Sequence, residues 1–304
     1  MLLQIDSEWH GCTVQQVLRR YLGLSSGMLR HVKYLDQGIL CNGEHVTVRH
    51  VLQAGDVLSV LTEDRQEEQK VRPVQLPLSI LYEDSEVVVP DKPAFMPTHP
   101  SHDHYDDTVA NALAFRYAPS PFVFRPINRL DRNTSGALLI ARNRMSAAYL
   151  CRAMQAHEIR KQYIAVLDGV LHQDEGTVET HLRRTAQSII VREVCSADDG
   201  DYALTHFRVL RRSETHTVVL AEPVTGRTHQ LRVHFAHLGC PITGDDLYGT
   251  PSPLIGRHAL HAQALSFPHP VTHEVMTLSA PLHADMERLI AQCFDTKDGS
   301  LCTI

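Results

Sequence analysis

One short segment constrains this chain more than any other: residues 129–136, Arg-Leu-Asp-Arg-Asn-Thr-Ser-Gly. Mainly apolar runs at 122–127 and 137–141 flank it, and they predict two short buried strands. Asp131 then lies on the tight connection between them, flanked by arginines. Arginines favour the ionised form of a carboxylate, and a carboxylate at the edge of a cleft can act as a nucleophile. An isolated Arg-x-Asp is more often a surface turn with a local ion pair, so the rest of the chain must distinguish the two readings.

The first 62 residues are predicted to form a compact domain. Helix-capping residues precede two segments with apolar side chains at helical spacing, and a glycine follows each segment. An Asn-Gly pair at 42–43 predicts a hairpin turn. The expected elements are helices at 14–22 and 26–37 and strands at 39–43, 46–48 and 57–61.

A charged segment with prolines at 63–76 is predicted to be a linker, and 294–304 a frayed tail. Between them, 77–293 is expected to form one large domain of strands with a few helices. The expected strands are 80–84, 87–89, 163–167, 202–212 and 215–222, and the expected helices are one that starts at 107, 143–154 and 228–238.

The charge of the chain is unevenly distributed. The net charge is −6, which by itself argues against a nucleic-acid partner. From 116 to 163, however, nine basic residues face only two acidic ones, a local balance of 9 − 2 = +7. A basic surface on an acidic protein is therefore expected, although a solvated helix face equally explains the arginines at 142, 144 and 152.

Other classes of protein are disfavoured. The seven cysteines are scattered and never spaced as Cys-x-x-Cys, which indicates reduced thiols without a disulfide framework or a zinc site. No apolar run is long enough to span a membrane, and the N-terminus lacks the features of a signal peptide. We expect a monomer in the cytoplasm.

Several further segments combine with 128–136 into a specific pattern. In chain order they are 80–84 (ILYED), 91–93 (DKP), 99–101 (HPS), 128–136 (NRLDRNTSG), 161–163 (KQY), 226–234 (GRTHQLRVH), 244–249 (GDDLYG) and 260–262 (LHA). Together they resemble the RluA/RluD-type pseudouridine synthases, enzymes that isomerise uridine within RNA, and residues 1–62 resemble an S4-like RNA-binding domain. The resemblance implies an α+β catalytic domain with a mostly antiparallel mixed sheet and a cleft across one face, preceded by a small S4-like α/β domain.

The resemblance also implies roles for individual residues. Asp131 matches the catalytic aspartate, and Arg232 matches the arginine that pairs with it. Tyr163 matches a tyrosine that stacks on the target base and is a candidate general base. Arg129 matches the arginine that contacts the flipped nucleotide. Asn128, where many relatives have histidine, keeps hydrogen-bonding capacity but cannot become cationic. Thr134 and Leu260 complete the expected substrate-binding set.

RNA contacts are expected in both domains. The candidates are exposed basic residues on the two N-terminal helices and two more beside the expected site; a solvated helix face is the alternative for the former. They are Arg19, Arg20, Arg30, Lys33, Arg132 and Lys161.

The implied reaction breaks the C1′–N1 glycosidic bond, rotates uracil and rejoins the sugar at C5. Asp131 can attack C1′ or C6, or remove a sugar proton, and the sequence leaves these routes open. A proton must then leave C5, to either Tyr163 or Asp131. The substrate is ribosomal or transfer RNA, and neither DNA nor a membrane is an expected partner.

Two groups of histidines raise the question of a metal site. They are His99, His102 and His104, and His229, His234 and His237. Neither group has the spacing of a metal-binding motif, so no metal and no organic cofactor is expected.

The rival interpretation is a non-catalytic RNA-binding or RNA-chaperone protein on the same scaffold. The intact set of Asp131, Tyr163 and Arg232 favours the enzyme.

Overall fold

The described part of the chain forms two β-sheets, a small one near the N-terminus and a large one from the rest of the chain. The computed structural model describes residues 2–20, 26–35, 37–61, 71–118, 120, 122–188 and 190–294. Within these ranges a four-stranded sheet is followed by a twelve-stranded sheet. No helix in the described ranges has the length and apolar character needed to cross a membrane.

The N-terminal sheet is small and entirely antiparallel, with the order β1-β4-β2-β3. Two helices precede its central hairpin, and their apolar sides contribute to its core. The elements are β1 (Leu2–Gln4), α1 (Val14–Arg20), α2 (Ser26–Lys33), β2 (Ile39–Cys41), β3 (Glu44–His45) and β4 (Val57–Val60).

The Asn-Gly hairpin is confirmed. Asn42 and Gly43 both take positive φ, as a two-residue hairpin turn requires. The Asn42 side chain also donates to Asp56 at 2.8 Å and accepts from the Val57 amide at 2.8 Å, which ties the turn to β4. The strand expected at 46–48 is wrong: a two-residue turn places the pairing directly after it, in Glu44–His45. Strand β1 was not anticipated, and the residues between α1 and α2 at 21–25 lie outside the described ranges.

The large sheet confirms the α+β prediction. Its main order is β12-β11-β13-β14-β10-β15-β8-β6-β9-β7, with β16 paired to β15 and β5 to β6. Among the described strand pairs, β8–β15 is parallel and the others are antiparallel. The elements are β5 (Ser79–Glu83), β6 (Val87–Lys92), α3 (Val109–Tyr117), β7 (Arg125–Pro126), β8 (Ser135–Ala137), β9 (Ile140–Ala141), α4 (Arg144–Gln155), β10 (Arg160–Asp168), β11 (Glu175–Arg184), β12 (Arg192–Cys195), β13 (Asp201–Arg212), β14 (His216–Pro223), α5 (Gln230–His237), β15 (Leu260–Pro268), β16 (Val275–Ser279) and α6 (Ala284–Phe294).

Most expected elements of this domain are present, with shorter or longer bounds. The expected strand at 122–127 is reduced to Arg125–Pro126, which pairs with the two residues of β9. The expected helix at 143–154 is confirmed: Asn143 caps α4 by accepting hydrogen bonds from the amides of Met145 and Ser146. Strands β11, β12, β15 and β16 and helix α6 were not anticipated. Most of the expected linker and all but the first residue of the expected tail lie outside the described ranges.

Helix α4 packs against both sheets. Met145 in its first turn belongs to the apolar core of the N-terminal sheet. Leu150 and Ala153 belong to the core beneath β6 and β15. The helix therefore supplies apolar contacts to two cores at once.

Part of the expected basic surface has a structural role instead. Arg116 pairs with Glu83 at 2.6 Å, and Arg142 lies over the Tyr117 ring and 3.7 Å from the same carboxylate. These two arginines hold α3 and the start of α4 to β5.

Candidate active site

The sequence-predicted site residues of the large domain meet in one cleft. It has a volume of about 930 Å³ and lies among the 97–101 loop, the 126–134 segment, the end of α4 and the 223–232 segment. The predicted residues among its lining are Asp131, Tyr163, Arg232, Arg129, Asn128, Thr134, Leu260, Arg132 and Lys161. The other four predicted residues, Arg19, Arg20, Arg30 and Lys33, are exposed on α1 and α2 and do not line it.

Asp131 lies on the connection between β7 and β8, as predicted. The Thr134 amide donates to the Asp131 carbonyl at 3.1 Å, which closes the turn. Just before it, the Thr98 hydroxyl donates to the Leu130 carbonyl at 2.9 Å. The Asp131 side chain remains 31% exposed. A rigid backbone thus carries a carboxylate that the cleft leaves accessible.

A buried lysine supports this turn from below. Lys92 is 0% exposed, and its ammonium donates to the carbonyls of Pro93, Met96 and Arg132 at 2.8–2.9 Å. Burial, followed by the nearby Arg257 charge, lowers the pKa of Lys92 to about 7, while Asp131 opposes the shift. Lys92 belongs to the 91–93 motif, but the sequence gave no indication that it holds the backbone of this turn.

A buried arginine supports the next part of the turn. Arg257 holds Asp285 through two hydrogen bonds of 2.7 and 3.0 Å. It also donates to the Asn133 carbonyl and to the Ser135 hydroxyl, both at 3.1 Å. Lys92 and Arg257 therefore hold consecutive carbonyls of the turn that follows Asp131.

Gly136 ends the motif for a steric reason. Its φ is +108°, and a Cβ at this position would lie 2.3 Å from the Ala262 carbonyl oxygen. The close approach comes from the parallel pairing of β8 with β15, in which Gly136 is opposite Ala262. Any side chain here would separate the two strands that frame the site.

Arg232 has a different principal partner from the one implied by the resemblance. It forms two hydrogen bonds with Asp245, of 2.7 and 2.6 Å, whereas its distance to Asp131 is 4.0 Å. Burial alone would raise the pKa of Asp245, but the Arg232 hydrogen bonds and charge outweigh it and the pKa is lowered. Asp245 thus neutralises the buried arginine, and Asp131 is left with a longer, weaker ion pair.

Tyr163 is nearly buried at 7% exposure and lies on β10 next to an irregularity in its pairing with β15. Burial, and then the negative charge of Asp131, raises the pKa of Tyr163 well above its ordinary value. The phenol is therefore protonated at neutral pH in the free protein. Its position in the cleft lining suits a ring that contacts a base.

Lys161, two residues earlier on β10, is a buried cation in the cleft wall. It is 7% exposed, and burial lowers the pKa of its ammonium. Its hydrogen bond to the Thr225 carbonyl is long, at 3.4 Å. An anionic group in the cleft would supply a stronger partner.

Two predicted substrate-binding side chains are bonded within the protein. The Asn128 side-chain oxygen accepts from the Leu139 amide at 2.8 Å. The Thr134 hydroxyl lies 2.8 Å from Nε2 of His258, a buried histidine whose pKa burial lowers to about 3. In the structure described, both contacts shape the turn around Asp131, which the sequence did not indicate.

A tyrosine and a histidine complete the surroundings of Arg232. Arg232 lies over the Tyr248 ring at 5.1 Å. The Tyr248 hydroxyl accepts from the Arg192 amide at 2.8 Å and lies 2.8 Å from Nδ1 of His229. Burial lowers the pKa of His229, which favours the neutral form of its ring.

The histidine groups noted in the sequence do not form a metal-ligand set within the described ranges. One other group there, Cys41, His50 and Asp56, has ligand atoms within 4.8 Å of one another. Both Asp56 oxygens already accept hydrogen bonds, from Asn42 and from the Gln53 amide, and burial raises the pKa of the Cys41 thiol. These contacts give the group a structural role in the hairpin.

Comparison with known protein families gives two matches along the chain. Residues 86–237 match the family described as RNA pseudouridylate synthase, and residues 1–58 match the RluD ribosomal pseudouridine synthase N-terminal domain. The first match contains the Asp131 turn, Tyr163 and Arg232.

Individual proteins are similar over most of their length. An uncharacterized RNA pseudouridine synthase of Bacillus subtilis, YjbO, is 40% identical over 88% of this chain and 95% of its own. The ribosomal large subunit pseudouridine synthase D of Xanthomonas campestris is 37% identical, over 83% of this chain and 80% of its own. Among solved structures, human RNA pseudouridylate synthase domain containing 1 is 28% identical with a TM-score of 0.57, over 67% of this chain and 83% of that one.

Proposed function

Because the chain belongs to the RNA pseudouridylate synthase family, we propose that it isomerises uridines of large-subunit ribosomal RNA with Asp131 as the catalytic carboxylate. The choice of ribosomal RNA is supported by relatives such as the ribosomal large subunit pseudouridine synthase D of Xanthomonas campestris. The role of Asp131 is supported by the contacts of Arg232. The buried Asp245 accepts both of the short hydrogen bonds that Arg232 donates, so Asp131 is not held by them.

Asp131 is thereby left partly exposed and reactive. A carboxylate locked into two short hydrogen bonds would have to break them before it could attack or accept a proton. At 4.0 Å from Arg232, Asp131 keeps an ion pair with the guanidinium without that constraint. It supplies the reacting group whether the first step is attack on C1′, attack on C6, or removal of a sugar proton.

The charge of Asp131 also sets the order of events. In each of these routes Asp131 loses its negative charge when the first step is complete. That charge is one of the two causes that raise the pKa of Tyr163, so its removal makes the phenol a better acid. We propose that Tyr163 first contacts the uracil ring, then donates its phenol proton to N1 of the detached base, and as the phenolate accepts the C5 proton after the sugar has been joined at C5.

The basic residues of the cleft are suited to the RNA backbone. Arg129 and Arg132 are exposed beside Asp131, and Lys161 offers a buried ammonium with one long hydrogen bond. We assign phosphate contacts to these three residues and to the exposed basic side chains of α1 and α2. On this proposal the protein acts in the cytoplasm as a monomer on RNA and not on DNA, without a metal or organic cofactor.

The decisive experiment is a map of pseudouridines in total RNA from cells with and without this gene. We expect specific pseudouridines to disappear from large-subunit ribosomal RNA and to return with the wild-type gene but not with Asp131→Asn. Loss confined to transfer RNA would contradict the substrate, and an unchanged map would contradict the function.

The order of proton transfer has a separate test. Tyr163→Phe keeps the ring and should bind RNA normally, yet it should release no tritium from C5-labelled uridine RNA. Release at the wild-type rate would contradict the role of Tyr163 at C5.

A further inference from the structure

Phe95 is the most unusual residue of the loop that leads into the lining of the cleft at Pro97. Seven described non-glycine residues take positive φ, and the other six are polar, five of them Asn, Asp or His. Those residue types tolerate the left-handed region, whereas for a bulky residue it is strained. Phe95 has a φ of +67° in a turn after Pro93, where Gly or Asn is the usual occupant.

The Phe95 ring is also exposed. Its exposed fraction is 51%, in a loop whose next residues enter the lining of the cleft at Pro97. A strained backbone combined with an exposed aromatic side chain gains nothing for folding, because glycine would remove the strain and the ring buries little surface. Strain of this kind is concentrated at functional sites.

Two contacts fix the turn to the catalytic segment. The Phe95 carbonyl accepts from Nε of Arg132 at 3.3 Å, and Arg132 directly follows Asp131. The Lys92 ammonium binds the carbonyls of Pro93 and Met96 on either side, together with that of Arg132. The Phe95 turn is therefore fixed to the residue that follows Asp131 by a shared, buried cation, and little backbone entropy is lost when the Phe95 ring binds a partner.

We infer that Phe95 is a stacking platform for an unpaired base next to the target uridine, an inference that rests on the proposed function. A uridine that enters the cleft leaves its neighbours unstacked, and an exposed aromatic face is the group that binds such a base without regard to sequence. The guanidinium of Arg132 beside it supplies the positive charge that a flanking phosphate requires.

The test compares three substitutions by steady-state kinetics on an unmodified transcript of the organism's large-subunit ribosomal RNA. Phe95→Leu keeps the apolar bulk but removes the aromatic face, and Phe95→Gly removes both the ring and the strain. Each should raise KM about tenfold with kcat unchanged, since stacking of a neighbouring base contributes equally before and during the reaction. Phe95→Trp should keep the wild-type KM.

Thermal unfolding separates a binding role from a structural one. Phe95→Gly should unfold at the wild-type temperature or above, because glycine adopts positive φ without strain. The matched control is Phe115→Leu, which removes an exposed aromatic ring on α3 and should change neither KM nor kcat.

The outcomes are distinguishable. An unchanged KM in Phe95→Leu overturns the inference and indicates that any apolar side chain is sufficient. A loss confined to kcat overturns it in favour of a role in positioning Asp131. If the wild-type protein modifies no uridine in this transcript, the proposed substrate fails and the stacking site fails with it.

Discussion

Three aspartates surround Arg232: the exposed Asp246 lies at 3.5 Å, and the other two, Asp131 and Asp245, differ in almost every physical respect. Asp245 is 0% exposed and makes hydrogen bonds of 2.6–2.7 Å to the guanidinium, whereas Asp131 is 31% exposed at 4.0 Å. We call the buried charged residues that do not line the cleft, such as Asp245, the floor of the site, and the charged residues that line it, such as Asp131, its mouth. Each charge of the floor has a partner, whereas charges of the mouth remain available. The difference shows how one arginine can stabilise the fold and support a reactive group at the same time.

The cations of the cleft repeat this contrast. Lys92 and Arg257 are fully buried, and each donates several hydrogen bonds, one of them to a carbonyl of the turn that follows Asp131. Lys161 at the mouth has one long hydrogen bond, and Arg129 is exposed. Charges that hold the backbone are thus distinct from the charges that line the cleft.

The largest effect is expected from Asp131→Asn. The amide keeps the size of the side chain but cannot act as nucleophile or base, so turnover should fall below about 1% of wild type. Because the ion pair with Arg232 is long, RNA affinity and the unfolding temperature should change little. Tritium release from C5-labelled RNA, with a filter-binding measurement alongside, checks this; a few per cent residual turnover would reassign the catalytic group.

Asp245→Asn should disrupt the buried ion pair with Arg232, and its main effect should be a loss of stability. It leaves Arg232 buried without its anion, a loss of about 3 kcal/mol in the free energy of unfolding. Displacement of Arg232 should also lower kcat on the order of a hundredfold.

The same variant has a pH signature. The folded pKa of Asp245 is lowered, so its stabilising contribution is present above about pH 4 and is lost as the pH falls. The wild-type and Asp245→Asn proteins should therefore converge in stability in acid. Urea unfolding at several pH values measures the difference, and a constant gap would contradict the assignment of the buried pair.

Lys92→Met tests the cation beneath the turn. The folded pKa of Lys92 is about 7, below its unfolded value, so the unfolded state binds more protons between pH 7 and 10. The stability of the wild type relative to Lys92→Met should rise over this range, by at most about 1.4 kcal/mol per pH unit. Parallel curves for the two proteins would show that Lys92 stays protonated in the fold.

The smallest effect is expected at the N-terminal domain, far along the chain from both aspartates. Replacement of Arg19, Arg20, Arg30 and Lys33 together by glutamine should weaken RNA binding about tenfold and flatten its dependence on salt. Neither kcat nor stability should change, since all four are exposed. Arg49→Gln, at an exposed position of the same domain outside the two helices, serves as the control; an equal loss there would point to net charge alone.

The sequence predicted the features that depend on neighbours in the chain. The Asn42-Gly43 turn, the Asn143 cap of α4 and the position of Asp131 between short strands all follow from local residue types. The resemblance to a family placed the chemistry on Asp131, Tyr163 and Arg232, which the structure brings to one cleft. Local residue patterns and the family motifs together were sufficient to predict which residues lie at the mouth of the site.

The floor of the site was beyond such reasoning. The contact between Arg257 and Asn133 joins residues 124 positions apart, and nothing local to either residue indicates it. The choice of Asp245 as the partner of Arg232 likewise depends on burial, which a motif does not encode. Strand β12 was missed because its four residues are only half-buried and carry no clear alternation.

The parallel pairing of β8 with β15 has a consequence for biosynthesis. Ser135 on β8 bonds to His261 on β15, 126 residues later. At typical rates of about 5–20 residues per second, the ribosome makes the second strand roughly 6 to 25 s after the first. Throughout that interval the Asp131 turn lacks Arg257 beneath it and the strand beside it. A nascent chain therefore exposes its two N-terminal helices well before its cleft is complete, and the residues of the cleft come together only near the end of translation.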